Sequence, residues 1–288
     1  MQFSKGVSPK FALVAMTMLP AVAGQNLTSE QEFNAKRTTS FGVVLFPGFE
    51  PLDVYGPMEI LIQLSAKVKM TVAFISFETG PVNSRYTPHG QPPTDFGYML
   101  GTSTTATHTF ADAPALDVIL VPGGTGTRTL VKRDPDDHRS REIEDFLRRR
   151  ADQADYILGV CTGSVLLARA GLLAGRRATT NKAAWSWVTG VGSAVGASSD
   201  SNNIAWVPSA RWTVDGKVWT SSGVAAGMDM MYAFARHAYG PELANAAVNA
   251  AEYAPHQDPD WDPFSVVYEV PGADASRSLT SCVAPAGF

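Results

Sequence analysis

The sequence contains few of the residues that build metal centres and no glycine loop of the kind that binds nucleotide phosphates. Its 288 residues include two cysteines and five histidines. No group of cysteine, histidine and carboxylate residues has the spacing of metal ligands. Walker loops and dinucleotide fingerprints are also missing from the sequence. We therefore expect a protein without a metal and without a bound cofactor.

Long apolar runs and an excess of positive charge are missing as well. No segment approaches the roughly 20 apolar residues that cross a bilayer, so we expect no stable membrane association. The chain carries 23 basic and 27 acidic residues, a formal net charge of -4, which argues against nucleic-acid binding. The one dense basic stretch, residues 138–150, interleaves Arg with Glu and Asp. This pattern predicts an amphipathic helix with Ile143, Phe146 and Leu147 on one side.

The first 23 residues have the pattern of a signal peptide. A basic start precedes an apolar run of about nine residues, which is too short to span a bilayer. Ala21-Val22-Ala23 then provides the small residues at which signal peptidase cuts. We expect cleavage there and a location in the secretory pathway, with a disordered apolar tail as the alternative. Asn26 begins an Asn-Leu-Thr sequon and is a candidate glycosylation site. Residues 24–37 are predicted to be a linker.

Strand-like and helix-like segments alternate from residue 38 to residue 253 without an internal linker. This alternation predicts one α/β domain, a flavodoxin-like three-layer sandwich with a mostly parallel sheet and helices on both faces. The tail, residues 254–288, is predicted to be a wrapping arm or partly disordered. The predicted strands are 40–46, 69–76, 115–121 and 155–160, with a hairpin at 211–220, and the predicted helices are 54–64, 163–171, 224–240 and 241–253.

Cys161 stands between a predicted strand and a predicted helix, in the sequence Gly-Val-Cys-Thr-Gly at 159–163. A sharp strand-to-helix turn with glycines on both sides of a nucleophile is the geometry of a nucleophile elbow. The helix N-terminus would lower the pKa of the thiol and favour a thiolate at neutral pH. A buried cysteine used as a small apolar side chain is the alternative. It would not need the flanking glycines, so the pattern favours a nucleophile.

Five stretches of the chain, in order between residues 40 and 257, resemble the ThiJ/PfpI family of the class I glutamine amidotransferase-like fold. Within that family the resemblance is to the isonitrile hydratase branch. Together the stretches are specific for the family and much less so for one reaction. They are LFPGFEPLDVYGP (45–57), HTFADAPALDVILVPGGTGT (108–127), VCTGSVLLARAGLLAGRRATT (160–180), SSGVAAGMDM (221–230) and AEYAPHQ (251–257).

The resemblance implies roles for residues around Cys161. Asp53 would share a proton with the cysteine and donate it, although an aspartate there also suits a helix N-cap. The backbone N–H of Gly124, in the Gly123-Gly124 turn, would join that of Thr162 to hold developing negative charge. The same two glycines also suit an ordinary turn. Thr162 would bind the substrate through its hydroxyl, or it would only be the residue at which the helix begins.

The sequence departs from the family pattern at Asn181, where relatives with amidase, peptidase or deglycase activity usually have a histidine. Asparagine cannot exchange a proton near neutral pH, so a Cys-His dyad is not expected. The resemblance then favours hydration of a small-molecule isonitrile to an N-substituted formamide. Glyoxalase or deglycase chemistry on α-oxoaldehydes is one alternative. The other is a redox or secreted thiol protein in which Cys161 is oxidised or pairs with Cys282.

Two further expectations come from the resemblance alone. Relatives that regulate transcription carry an added helix-turn-helix domain, for which the tail is too short, so we set that function aside. Homodimerisation is expected because it is common in the family.

Overall fold

The computed structural model describes residues 27–85, 100–132, 138–194, 203–277 and 279. The predicted signal peptide, the glycosylation site at Asn26 and the second cysteine, Cys282, lie outside the described residues. Their predictions therefore stay predictions.

The centre of the fold is a seven-stranded sheet in the order β10-β11-β7-β6-β1-β2-β5. Every neighbouring pair is parallel except the β10–β11 hairpin. The prediction of a mostly parallel sheet is confirmed. The described strands are β1 Thr39–Val44, β2 Met70–Ser76, β3 Gly80–Asn83, β4 Ser103–Ala106, β5 His108–Thr109, β6 Val118–Val121, β7 Tyr156–Gly159, β8 Arg177–Ala178, β9 Ala205–Trp206, β10 Trp212–Asp215 and β11 Val218–Ser221.

Two groups of helices pack around this sheet. Helices α1, α2, α7 and α8 contact one another in one group, and α3, α4, α5 and α6 form the other, which completes the predicted three-layer sandwich. No helix within the described ranges is both long and apolar enough to cross a bilayer. The described helices are α1 Ser29–Lys36, α2 Pro51–Ser65, α3 Gly126–Val131, α4 Arg139–Ala151, α5 Gly163–Arg169, α6 Trp185–Ala194, α7 Ala226–Tyr239, α8 Pro241–Ala250 and α9 Phe264–Val267.

Helix α4 shows how the sequence pattern places a helix on the core. Its residues Ile143, Phe146 and Leu147 are all fully buried, as the spacing of three and four residues predicts. Its other face carries Arg148, which pairs with Asp145 one turn away. The basic stretch is therefore a solvated helix face with an apolar side.

The predicted linker at 24–37 is wrong for its described part, because α1 lies inside it. Thr28 and Gln31 form a capping box at the start of α1, which satisfies backbone N–H groups that the first turn leaves free. The buried Asn34 donates to the carbonyl of Ala238 at 3.1 Å. Arg37, at the other end of the helix, pairs with Asp117 at 3.1 Å. These contacts dock the segment onto the domain.

Residues 254–277 form a wrapping arm, which is one of the two alternatives predicted for the tail. Trp261 and Asp262 are fully buried, and Asp262 pairs with the guanidinium of Arg211 at 3.3 Å. A buried aromatic side chain and a buried ion pair hold the arm against the sheet domain. The arm also forms α9, which the sequence pattern did not predict.

Candidate active site

Cys161 occupies a strained turn between β7 and α5. Its φ angle is +56°, a strained value that non-glycine residues adopt rarely and that is enriched at active sites. A Cβ on Gly163 would lie 2.3 Å from the carbonyl oxygen of Val121, and one on Gly159 would lie 2.7 Å from the side chain of Leu167. Backbone contacts therefore require glycine at 163, whereas a side chain at 159 would have to displace Leu167. The strand, the turn at Cys161 and the helix have the predicted elbow geometry.

Hydrogen bonds hold both peptide groups of the elbow cysteine. The N–H of Cys161 donates to the carbonyl of Ser222 at 3.1 Å. The carbonyl of Cys161 accepts from the hydroxyls of Ser164 and Thr180, each at 3.0 Å. The backbone on both sides of the sulfur is thus fixed by three separate segments, which keeps the side chain in one position.

Asp53 is fully buried beside the cysteine. Its Oδ2 accepts the N–H of Gly123 at 2.8 Å. Its Oδ1 has no nitrogen or oxygen partner among the described residues, and the carboxyl interacts with the thiol of Cys161. The N-cap of α2 is Glu50, three residues earlier. The alternative role of Asp53 as a helix cap is therefore wrong, and its carboxyl faces the site.

Burial controls the protonation of this pair. It raises the pKa of Asp53 well above the ordinary value, with a smaller contribution from the charge of Glu50. It also raises the pKa of the Cys161 thiol, and the neighbouring Asp53 charge adds to that increase. The expected thiolate at neutral pH is therefore wrong for the resting site, because desolvation outweighs the seven-residue helix α5. The predicted sharing of one proton between the two side chains stays a prediction.

Three neutral donors reach the sulfur of Cys161. They are the backbone N–H groups of Thr162 and Val224 and the side-chain amide of Asn181. The Oδ1 of Asn181 accepts the N–H of Ala184 at 2.9 Å, which leaves the NH₂ group for the sulfur. No histidine of the described chain is among the partners of the sulfur. The prediction that Asn181 replaces a histidine base therefore agrees with its position.

The glycine turn after β6 has a different role from the predicted oxyanion pocket. The N–H of Gly124 donates to the hydroxyl of Thr162 at 3.0 Å, so it is not free for a substrate. Gly124 has a φ of +128°, and the backbone of Gly48 leaves no room for a Cβ there. Thr127, which the sequence analysis missed, donates to the carbonyl of Gly124 at 2.7 Å. The turn therefore fixes Thr162, while Gly123 orients Asp53.

A cavity of about 240 Å³ is lined by neighbours of Cys161, although Cys161 and Asp53 do not line it themselves. Three of its lining residues, Asn181, Ser222 and Val224, are among the residues that contact Cys161. The opposite wall is formed by Phe264 and Tyr268 of the C-terminal arm. The sequence analysis treated this arm only as a wrapping segment, because long-range packing leaves no local pattern.

Two buried cations, Lys182 and Arg211, also line the cavity. Arg211 is neutralised by Asp229 at 2.8 Å and by Asp262 at 3.3 Å. The Nζ of Lys182 donates to the hydroxyl of Thr179 at 2.7 Å. Burial lowers the pKa of Lys182 to about 7, although the charge of Asp262 opposes the change. The cavity therefore has no uncompensated positive charge above neutral pH.

Lys182 makes a testable contribution to stability. Its folded-state pKa of about 7 lies below the ordinary 10.5, so between these values the unfolded chain binds more protons. The free energy of unfolding should then rise with pH across this window. We expect wild type to gain about 2 to 3 kcal/mol over Lys182→Met between pH 7 and pH 9, measured by urea denaturation. Lys67→Met, at an exposed position, is the control. Parallel curves for wild type and Lys182→Met would refute the shift.

The fold and the site together define a class of protein. It is a parallel-sheet α/β protein with a cysteine on a strand-to-helix elbow and a buried carboxyl beside it. The chain belongs to the DJ-1/PfpI family, whose model matches residues 39–237. The resemblance drawn from the five sequence stretches is thereby confirmed.

The relatives of this chain carry names that refer to different functions. The chain is 32% identical over 234 residues to an isonitrile hydratase of Pseudomonas putida, covering 79% of this chain and 86% of that one. It is 33% identical over 135 residues to the HTH-type transcriptional regulator GbdR of Pseudomonas aeruginosa, covering 47% of this chain and 32% of the regulator. A crystal structure of a ThiJ/PfpI family protein from Pseudomonas syringae matches with a TM-score of 0.57 at 23% identity, covering 85% of this chain and 87% of that chain, which supports the fold.

Proposed function

We propose that the protein is a cofactor-independent hydratase that converts an isonitrile into an N-substituted formamide, with Cys161 as the nucleophile. The observation that carries this proposal is the buried Asp53–Cys161 pair, in which both pKa values are raised by burial. One proton shared by the pair is what the first chemical step needs. The 32% identity to an isonitrile hydratase over most of both chains supports the same substrate class.

In the proposed reaction Asp53 first donates a proton to the substrate and later accepts one from water. The sulfur of Cys161 forms a bond to the terminal isonitrile carbon, and the carboxyl of Asp53 gives that carbon its proton, which yields a thioimidate. The Asp53 carboxylate then takes a proton from a water molecule, and the hydroxide adds to the same carbon. Asp53 passes the proton taken from water to the nitrogen, and the carbon–sulfur bond breaks. The proton of the added hydroxyl returns to the Asp53–Cys161 pair as the formamide leaves. No electron acceptor and no second base is required.

The alternatives receive less support from the site. Glyoxalase, deglycase and amide-bond chemistry benefit from a base beside the cysteine, whereas the side chain at that place is the amide of Asn181. A redox-sensing cysteine is usually an accessible thiolate, whereas Cys161 is 5% exposed and its pKa is raised. Pairing with Cys282 stays a prediction.

Formamide production tests the proposal directly. Purified protein is incubated with benzyl isonitrile or with methylglyoxal, and N-benzylformamide and lactate are measured, with Cys161→Ala as the inactive control. Formamide formed by wild type alone supports the hydratase. Lactate formed by wild type alone would indicate glyoxalase chemistry instead. If neither product is formed, both reactions are rejected.

Asn181→Leu tests the environment of the nucleophile. Leucine has a similar volume but cannot donate to sulfur, so the pKa of the Cys161 thiol should rise further. Because a hydrogen bond to a charged group is worth about 1.5 to 3 kcal/mol, alkylation of Cys161 by iodoacetamide at pH 8 should slow by about tenfold or more. Asn245→Leu, which removes a hydrogen bond to Tyr232, is the control. An unchanged alkylation rate in Asn181→Leu would show that the amide does not stabilise the sulfur.

Secretion and homodimerisation remain part of the proposal as predictions. The first is tested by the N-terminal residue of the protein recovered from its host, where cleavage after Ala23 is expected. Light scattering of the purified protein tests the second.

A further inference from the structure

We infer that the 240 Å³ cavity beside Cys161 is the site that recognises the substituent of the substrate, and that it selects a neutral, apolar group of about one ring. The inference rests on the proposed function for the identity of the reacting group. It goes further by assigning substrate selection to Phe264 and Tyr268, two residues of the C-terminal arm. Both lie beyond residues 39–237, the part of the chain that the family model matches.

The cavity is connected to the reacting sulfur through three shared neighbours, since Cys161 itself is not among the lining residues. Val224 and Asn181 donate to that sulfur, and Ser222 accepts the N–H of Cys161. All three also line the cavity. A substrate whose reactive carbon contacts the sulfur would therefore have its substituent within reach of the same wall.

The charges around the cavity favour a neutral ligand. The guanidinium of Arg211 already lies between the carboxylates of Asp229 and Asp262. The amine of Lys182 donates to the hydroxyl of Thr179 and to the carbonyl of Ala210 at 2.8 Å. Lys182 forms no ion pair among the described residues, and burial keeps its amine neutral above its pKa of about 7. Above that pH a negatively charged substituent would find no unpaired cation, and its desolvation would not be compensated.

The shape and lining favour an apolar ring. The side chains of Phe264 and Tyr268 are 49% and 53% exposed, although large aromatic side chains elsewhere in the arm, such as Trp261, are fully buried. Ala183 and Ala225 complete an apolar lining. The volume is below the roughly 300 to 1,000 Å³ of pockets that bind drug-sized ligands. It suits a single ring with a short linker.

Phe264 has a matched control on the same short helix. Val267 is 56% exposed and does not line the cavity. Phe264→Ala and Val267→Ala therefore remove exposed apolar groups from neighbouring places on α9, but only the first changes the proposed recognition site. Urea denaturation of both variants identifies any loss of folding.

Calorimetry with three formamides tests the inference without requiring turnover. N-benzylformamide should bind wild type, and N-formylglycine, which carries a carboxylate, should not. Because burying one aromatic contact is worth about a tenfold change in affinity or more, Phe264→Ala should raise the Kd of N-benzylformamide at least tenfold. Val267→Ala should leave the Kd of N-benzylformamide within twofold of the wild-type value. N-methylformamide should bind wild type much more weakly than N-benzylformamide does.

The outcomes separate this inference from the proposed function. N-benzylformamide binding that depends on Phe264, together with no turnover of any isonitrile, would support the cavity and reject the hydratase. Equal binding of N-formylglycine, no binding of N-benzylformamide, or equal effects of Phe264→Ala and Val267→Ala would each overturn the cavity assignment. Where isonitriles are turned over, Phe264→Ala should lower the kcat/KM ratio of benzyl to methyl isonitrile, mainly through KM.

Discussion

Replacing Asp53 by asparagine is expected to lower isonitrile turnover by about 10²- to 10⁴-fold, the usual contribution of a positioned acid–base group. The amide oxygen of asparagine can still accept the N–H of Gly123, which Asp53 Oδ2 accepts at 2.8 Å, so the fold should be kept. What is lost is the proton for the isonitrile carbon. Formamide production at saturating substrate measures the effect.

The same substitution should make the cysteine easier to ionise. The charge of Asp53 raises the pKa of the Cys161 thiol in addition to burial, so removing that charge should lower the pKa and speed alkylation at pH 8. Faster alkylation with slower turnover is a combination that simple misfolding does not produce. Glu59→Gln, on the same helix and not among the groups that shift the pKa of Asp53, is the control and should change turnover only slightly. Turnover within threefold of wild type in Asp53→Asn would exclude Asp53 as the proton donor.

The second large effect concerns Gly163→Ala. A Cβ at this position would lie 2.3 Å from the carbonyl oxygen of Val121 and 2.7 Å from that of Pro122. Both atoms belong to the backbone, so relief requires β6 and the elbow to move apart. We expect a loss of about 3 kcal/mol in the free energy of unfolding, at the upper end of typical overpacking costs.

Gly190→Ala provides the matched comparison for that loss. Gly190 lies in α6, and a Cβ there would meet nothing within 4 Å. Because alanine favours helix over glycine, this variant should be more stable by about 0.5 to 1 kcal/mol. Urea denaturation compares the two. A Gly163→Ala protein as stable as wild type, with Cys161 alkylated at the wild-type rate, would show that the elbow tolerates a side chain.

Local patterns predicted most of the fold. The sequence around the elbow gave a strand ending at 160 and a helix from 163, and the structure has β7 to Gly159 and α5 from Gly163. Apolar spacing likewise placed the buried face of α4. The helices α1, α3, α6 and α9 were missed. For α1 and α9 the reason is that both are short and depend on distant contacts. Asn34 bonds to residue 238, and the arm that carries α9 is held by Arg211.

The candidate site was predictable in its residues and less so in its electrostatics. Cys161, Asp53 and Asn181 lie together as the sequence indicated. The thiolate was mispredicted because desolvation depends on how completely the finished fold buries a group. The use of the Gly124 N–H was mispredicted because a hydroxyl of the same chain, on Thr162, takes it. Val224 and Thr127 both had a signal, because they lie within the SSGVAAGMDM and HTFADAPALDVILVPGGTGT stretches.

The ion pair between Arg211 and Asp262 also has a consequence for how the chain acquires its structure during synthesis. A nascent chain that has folded through α8 already holds Arg211 near Asp229, but residue 262 has not yet joined it. Domains fold as the ribosome releases them, so the sheet domain would emerge with one side of that guanidinium open and with Trp261 still unburied. The last step of folding would then be the docking of the arm, and a chain truncated after residue 253 would be a nearly complete protein that lacks one wall of its cavity.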